Sequence, residues 1–77
     1  MPKATRFSRR RLGQAVRQQR ERLGLSQEDF AERANVHRTY ISSIELGKVS
    51  VGIEVASSLA TALGLRLSEL IRQAEKV

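Results

Sequence analysis

The chain has no cysteine among its 77 residues, which excludes disulfides and cysteine-ligated zinc. Its single histidine, His37, has no carboxylates spaced to complete a metal site. With no cysteine, one histidine and no paired acids around a pocket-forming pattern, an enzyme mechanism has nothing to build on. No cofactor, metal or small-molecule ligand is expected. No apolar run approaches the roughly 18 to 20 residues that cross a bilayer, and the arginine-rich start has no hydrophobic signal core behind it. The expectation is a soluble cytoplasmic protein with no membrane partner. The length suits one domain, near the lower size at which an apolar core suffices without a disulfide, a metal or a partner chain.

Acidic side chains are scarce at one end. Residues 1–24 carry Lys3, Arg6, Arg9, Arg10, Arg11, Arg17, Arg20 and Arg22 against one acid, Glu21. The remainder has six basic and seven acidic residues, so the formal excess of +6 lies wholly in that first third. Two readings fit: a solvated helix face, or a patch that follows phosphates without reading sequence.

The centre of the chain is residues 25–47, LSQEDFAERANVHRTYISSIELG. It reads as two short helices joined by a tight turn. Ser26 is a good N-cap, its hydroxyl accepting from an orphan N–H of the first turn, and Asp29 suits the positive helix end. Phe30 and the small Ala31 face inward, where two axes approach closely. Asn35 falls at a turn that requires a left-handed residue, and Val36 fills the corner. Ile41 and Ile44 repeat at i, i+3 and face back to the preceding helix. Arg38, Thr39, Ser42 and Ser43 are left together on an outer strip that carries neither acid nor bulky apolar group.

These residues resemble the helix-turn-helix of the Cro and phage-repressor type, over about residues 12–70. The points of match are the LSQ start, Ala31, the Asn35-Val36 turn, the Ile41/Ile44 pair and the Glu45 to Lys48 end. HRTYIS followed by SIELGK is most similar to the controller proteins of restriction-modification systems. The resemblance implies an all-α, compact five-helix bundle, a lambda-repressor-like DNA-binding domain whose third helix enters the major groove of double-stranded DNA. It also implies that Arg20 pairs with Glu45 to hold the motif together, and that the Gln27 amide meets a phosphate.

On such a helix Arg38 is the leading base reader, since its planar fork matches O6 and N7 of guanine. Thr39 offers a hydroxyl and a methyl group to a base edge. Ser43, one turn on, is short where the repressor family often has a longer reader, and a water-mediated contact is the alternative. His37 either caps the turn, the first choice, or donates to a phosphate. Tyr40 fits simple packing and a hydroxyl aimed at the DNA backbone equally well. Ser42, Lys48, Arg9 and Arg10 complete the phosphate-facing set. Val49 takes no base-reading role, because the polar or arginine-bearing loop of related sequences is absent here.

Residues 1–7 form an expected basic arm, either frayed or ordering on DNA. The domain proper spans 8–77. Ser8 caps a first helix with the stripe Leu12, Val16 and Leu23, which Gly24 ends. Gly52 opens a fourth helix with the stripe Ile53, Ala56, Leu59, Ala60 and Leu63, and Gly64 ends it. Ser68 is expected to cap a fifth. Leu65, Leu67, Leu70, Ile71 and Ala74 exceed what one small core needs, so they either cover the base of the bundle or form a homodimer interface; the resemblance favours the dimer. The functional expectation is a dimeric, nucleoid-associated transcription regulator on a two-fold symmetric site. The competing class is an antitoxin that binds a protein partner as well as DNA.

Overall fold

The computed structural model describes residues 7–77, which form five helices and, among those residues, no strand. The helices are α1 (Arg9–Arg22), α2 (Gln27–Ala34), α3 (Arg38–Glu45), α4 (Ile53–Ala62) and α5 (Leu67–Lys76). Apart from the exposed Phe7, the expected arm lies outside the described residues.

The ends of the helices follow from local chemistry. Ser8 Oγ accepts the Arg11 N–H at 3.2 Å and Ser26 Oγ accepts that of Asp29 at 3.0 Å, so each serine satisfies an amide that has no partner within its helix. Beyond α1, α3 and α4 the chain turns at Gly24, Gly47 and Gly64, each at positive φ. The fifth helix starts earlier than Ser68 suggests. Arg66 is its N-cap, and the Glu69 carboxylate reaches back to accept the Arg66 N–H at 2.8 Å, so the start is fixed from within the first turn and not by a serine hydroxyl. Starting at Leu67 also aligns Leu67, Leu70, Ile71 and Ala74 on one helix face.

α1 packs on α5 and α3, α2 on α3 and α4, and α4 on α5. Their shared centre holds the fully buried side chains of Val16, Phe30, Ile41, Ile44, Leu59 and Leu70. Each removes roughly 1.5 to 3 kcal/mol worth of apolar surface from water. The Arg11 guanidinium closes the far end of the bundle by donating to the main-chain oxygens of Glu75 and Val77.

Two members of the expected stripes lie outside this core. Leu23 is 49% exposed, because α1 ends at Arg22 and Leu23 is its C-cap. Ile53 is 71% exposed; as the first residue of α4 its side chain tilts back beyond the helix end, off the layer below. The surplus of apolar residues at the C-terminal end is also smaller than it looked. Leu70 and Ala74 are both 0% exposed within the single chain, so neither has surface to give a partner. Leu65, Leu67 and Ile71 remain half-buried.

Candidate nucleic-acid interface

The turn that sets the angle of α3 is built on Asn35. Its φ of 58° and ψ of 45° are left-handed, and its side chain is one of the few besides glycine that tolerates this. The chain then reverses: the Val36 N–H donates to the Ala31 carbonyl at 3.0 Å, and Val36 packs against the core. Ile41 and Ile44 are buried, so the opposite side of α3 has to face outward.

Two contacts from α1 fix α3 in place. Gly13 lies against its last turn so tightly that a Cβ there would sit 2.2 Å from the Ile44 carbonyl oxygen and 2.9 Å from that of Glu45. Two turns further along the same face, Arg20 reaches Glu45 with a forked pair, Nε to Oε2 at 2.7 Å and Nη2 to Oε1 at 3.1 Å. The Arg20 side chain is 11% exposed and that of Glu45 3%. Its remaining nitrogen donates to the Leu25 carbonyl at 2.8 Å. The Glu45 carboxylate holds the Arg20 pKa above the ordinary arginine value, chiefly through these hydrogen bonds, so the guanidinium stays charged.

Gln27 joins the same carboxylate, its Nε2 donating to Glu45 Oε1 at 3.1 Å. Glu45 thus ties α1, α2 and α3 together. One amide hydrogen of Gln27 is committed inside the protein; the second remains for an outside acceptor.

Arg38 and Thr39, at the start of α3, are exposed, with Ser42 and Ser43 half-buried behind them. His37 is the N-cap: its Nδ1 accepts the Thr39 N–H at 3.1 Å and lies 2.7 Å from Thr39 Oγ1. Tyr40 packs against the core, which fixes its ring. A concavity beside the start of α3 is lined by Glu28, Asp29, Glu32, His37 and Arg38, an acidic wall next to the cationic end of the strip.

The basic block of α1 divides by position. Arg11 and Arg20 bond within the fold and Arg17 pairs with Glu21 at 3.3 Å, so they are not a single free patch. Arg9 and Arg10 are exposed in the first turn of α1. A Cβ on Gly47 would lie 3.0 Å from Arg10 Cα, so this turn abuts the end of α3, where Lys48 is also exposed. Arg38 and Thr39 at one end of α3, and Arg10 and Lys48 at the other, are therefore held on one frame. Lys3 and Arg6 lie outside the described residues.

A scan against protein-family models matches residues 16–70 to a family described as Helix-turn-helix. The chain belongs to the helix-turn-helix family. Members of this family are DNA-binding regulators of transcription and not enzymes. Among curated relatives, control protein C.MunI of a Mycoplasma species is 44% identical over 57 residues, covering 74% of this chain and 77% of its own. Control protein C.BamHI of Bacillus amyloliquefaciens is 40% identical over 60 residues, 77% of this chain and 74% of its own. The solved structure of the restriction-modification controller protein C.AhdI from Aeromonas hydrophila superposes with a TM-score of 0.78 at 35% identity, over 80% of this chain and 94% of that one. The helix-turn-helix spans α2 and α3, and among the described residues no helix is long and apolar enough to cross a membrane.

Proposed function

We propose that this chain is a homodimeric, sequence-specific regulator of transcription, a restriction-modification controller or a similar autoregulator that binds a two-fold symmetric operator. The observation that carries it is the exposed strip of α3, led by Arg38 and Thr39, on a helix locked from behind by Glu45. An α-helix fits the major groove, and a rigid one presents its side chains in a fixed register to base edges. Arg38 reads a guanine in two-pronged fashion, and Thr39 and Ser43 read beside it. Arg9, Arg10, Lys48, Ser42, Tyr40 and the second amide hydrogen of Gln27 meet phosphates and set the register. His37 keeps its cap role and turns its other ring nitrogen outward.

Dimerisation through Leu65, Leu67 and Ile71 sets two copies of α3 about one helical turn apart, ~34 Å along the duplex. The similarity to C.MunI and C.BamHI favours the controller reading over an antitoxin. The protein acts in the cytoplasm, on the nucleoid, at the promoter of its own or a neighbouring gene. Repeated selection of bound fragments from random duplex DNA tests this. Enrichment of a two-fold symmetric site is expected, with affinity falling as salt rises; recovery of unenriched DNA, or binding indifferent to salt, overturns it.

A further inference from the structure

Thr39 carries a hydroxyl, which ordinarily rotates to donate or to accept as a partner requires. His37 removes that freedom. Its Nδ1 lies 3.1 Å from the Thr39 backbone nitrogen and 2.7 Å from Thr39 Oγ1. A backbone N–H can only donate, so Nδ1 must present its lone pair there, and the proton of the neutral imidazole sits on Nε2. Facing a nitrogen that accepts, a hydroxyl at 2.7 Å bonds in one way, by donating. Its hydrogen is committed to the His37 ring, and its lone pairs are left for an outside partner.

We propose that His37 is a positioning residue for base recognition: it fixes Thr39 as a hydrogen-bond acceptor, and Thr39 thereby selects a base with an amino group in the major groove. Adenine N6 and cytosine N4 donate there, whereas guanine O6 and thymine O4 accept and would meet lone pair with lone pair. Arg38, a pure donor, has the opposite requirement and takes guanine. Two adjacent residues on one exposed strip then read two complementary chemical signs. The inference rests on α3 being the base-reading helix.

The test uses the whole chain at about pH 8 and the operator recovered by selection. Thr39→Val, which keeps the shape and loses the hydroxyl, identifies the base pair that Thr39 reads. Four duplexes differing only at that pair are then compared. The parent is expected to bind adenine or cytosine there about tenfold more tightly than guanine or thymine. His37→Ala should collapse that ratio, because the freed hydroxyl can donate or accept. His37→Asn, whose side-chain oxygen restores an acceptor at the N-cap, should recover it. Loss of the cap alone weakens all four duplexes equally and leaves the ratio standing. Because His37 is the chain's one histidine, its ring nitrogens are also directly assignable by nitrogen NMR, with Nδ1 bare and Nε2 protonated. A preference for guanine or thymine, a ratio untouched by His37→Ala, or a proton on Nδ1 overturns the inference. If Arg38→Ala alters preference at its own base pair while His37→Ala alters none, only the role of His37 fails. If neither alters any, α3 does not read bases and both readings fall.

Discussion

Arg20 and Glu45, 25 residues apart in the chain, meet through two nearly parallel hydrogen bonds at 2.7 and 3.1 Å, behind the helix that faces outward. The pair is nearly dry, so it acts through what its loss would leave behind. Glu45→Ala leaves the Arg20 charge with the Leu25 carbonyl as its remaining hydrogen bond and the more distant Glu21 charge, and also releases Gln27. Stability should fall by about 1 to 3 kcal/mol, read from denaturant unfolding. Arg20 has a raised folded-state pKa, so its contribution is complete below the ordinary arginine value of the unfolded chain and is lost only as pH rises through the folded one. Raising the pH from 7 to 11 should therefore leave the difference between parent and Glu45→Ala unchanged.

Gly13 gives a prediction that runs against helix propensity. In an exposed helix, glycine to alanine stabilises by about 1 kcal/mol. Here the new methyl would lie 2.2 Å from the Ile44 carbonyl oxygen, a backbone atom that cannot swing aside. Overpacking of this kind costs about 1 to 3 kcal/mol. Gly13→Ala should melt at a lower temperature and, because α3 is what must shift, bind operator less tightly even where it is fully folded. A rise in melting temperature would show that α1 and α3 can separate without loss.

Much of this frame was legible in the residues. Ser8 and Ser26, the glycines that close α1, α3 and α4, Asn35, and the Ile41/Ile44 pair all work through rules that act within a few residues. What stayed hidden depends on contacts between distant segments. Nothing within α1 marks Gly13 as the point where another helix presses closest, and a glycine in mid-helix looks like a defect until α3 is in place. Leu70 and Ala74 show the converse. A count of apolar residues cannot tell a core from an interface, and only the seating of α5 on α1 and α4 places both inside. The exposed Ile53 marks the limit of a helical stripe, which says which face is apolar and not how far the neighbouring layer extends.

Base reading and phosphate binding should separate by substitution. Arg38→Ala should weaken the selected operator by about 1 to 3 kcal/mol and relax preference at one base pair in each half-site. Arg10→Ala sits at the other end of α3, beside Gly47. It should weaken all duplexes alike and reduce the slope of affinity against salt by about one ion. Equilibrium binding across a salt series, on operator and on scrambled duplex, checks both. Equal loss on both duplexes for Arg38→Ala would place that residue on the phosphates.

Leu70 and Ile71 are neighbours with opposite exposures, and this makes the dimer proposal testable without confusing it with folding. Leu70 is wholly inside the single chain, so Leu70→Ala should destabilise the monomer itself by about 2 to 5 kcal/mol. Ile71 is half-buried, and lysine at that site can lay its stem along the helix and carry its charge to water. Ile71→Lys should therefore keep its helical signal and unfold cooperatively, with a change of about 1 kcal/mol. If α5 pairs with a second copy, the same variant puts two like charges into the interface, and sedimentation should find a monomer at concentrations where the parent is dimeric. A lone copy still has its α3, so it should bind an isolated half-site as the parent does and lose the advantage of the two-fold site. An Ile71→Lys protein that sediments with the parent and keeps full operator affinity would move the dimer contact off α5, leaving the exposed Ile53 as the next apolar residue to test.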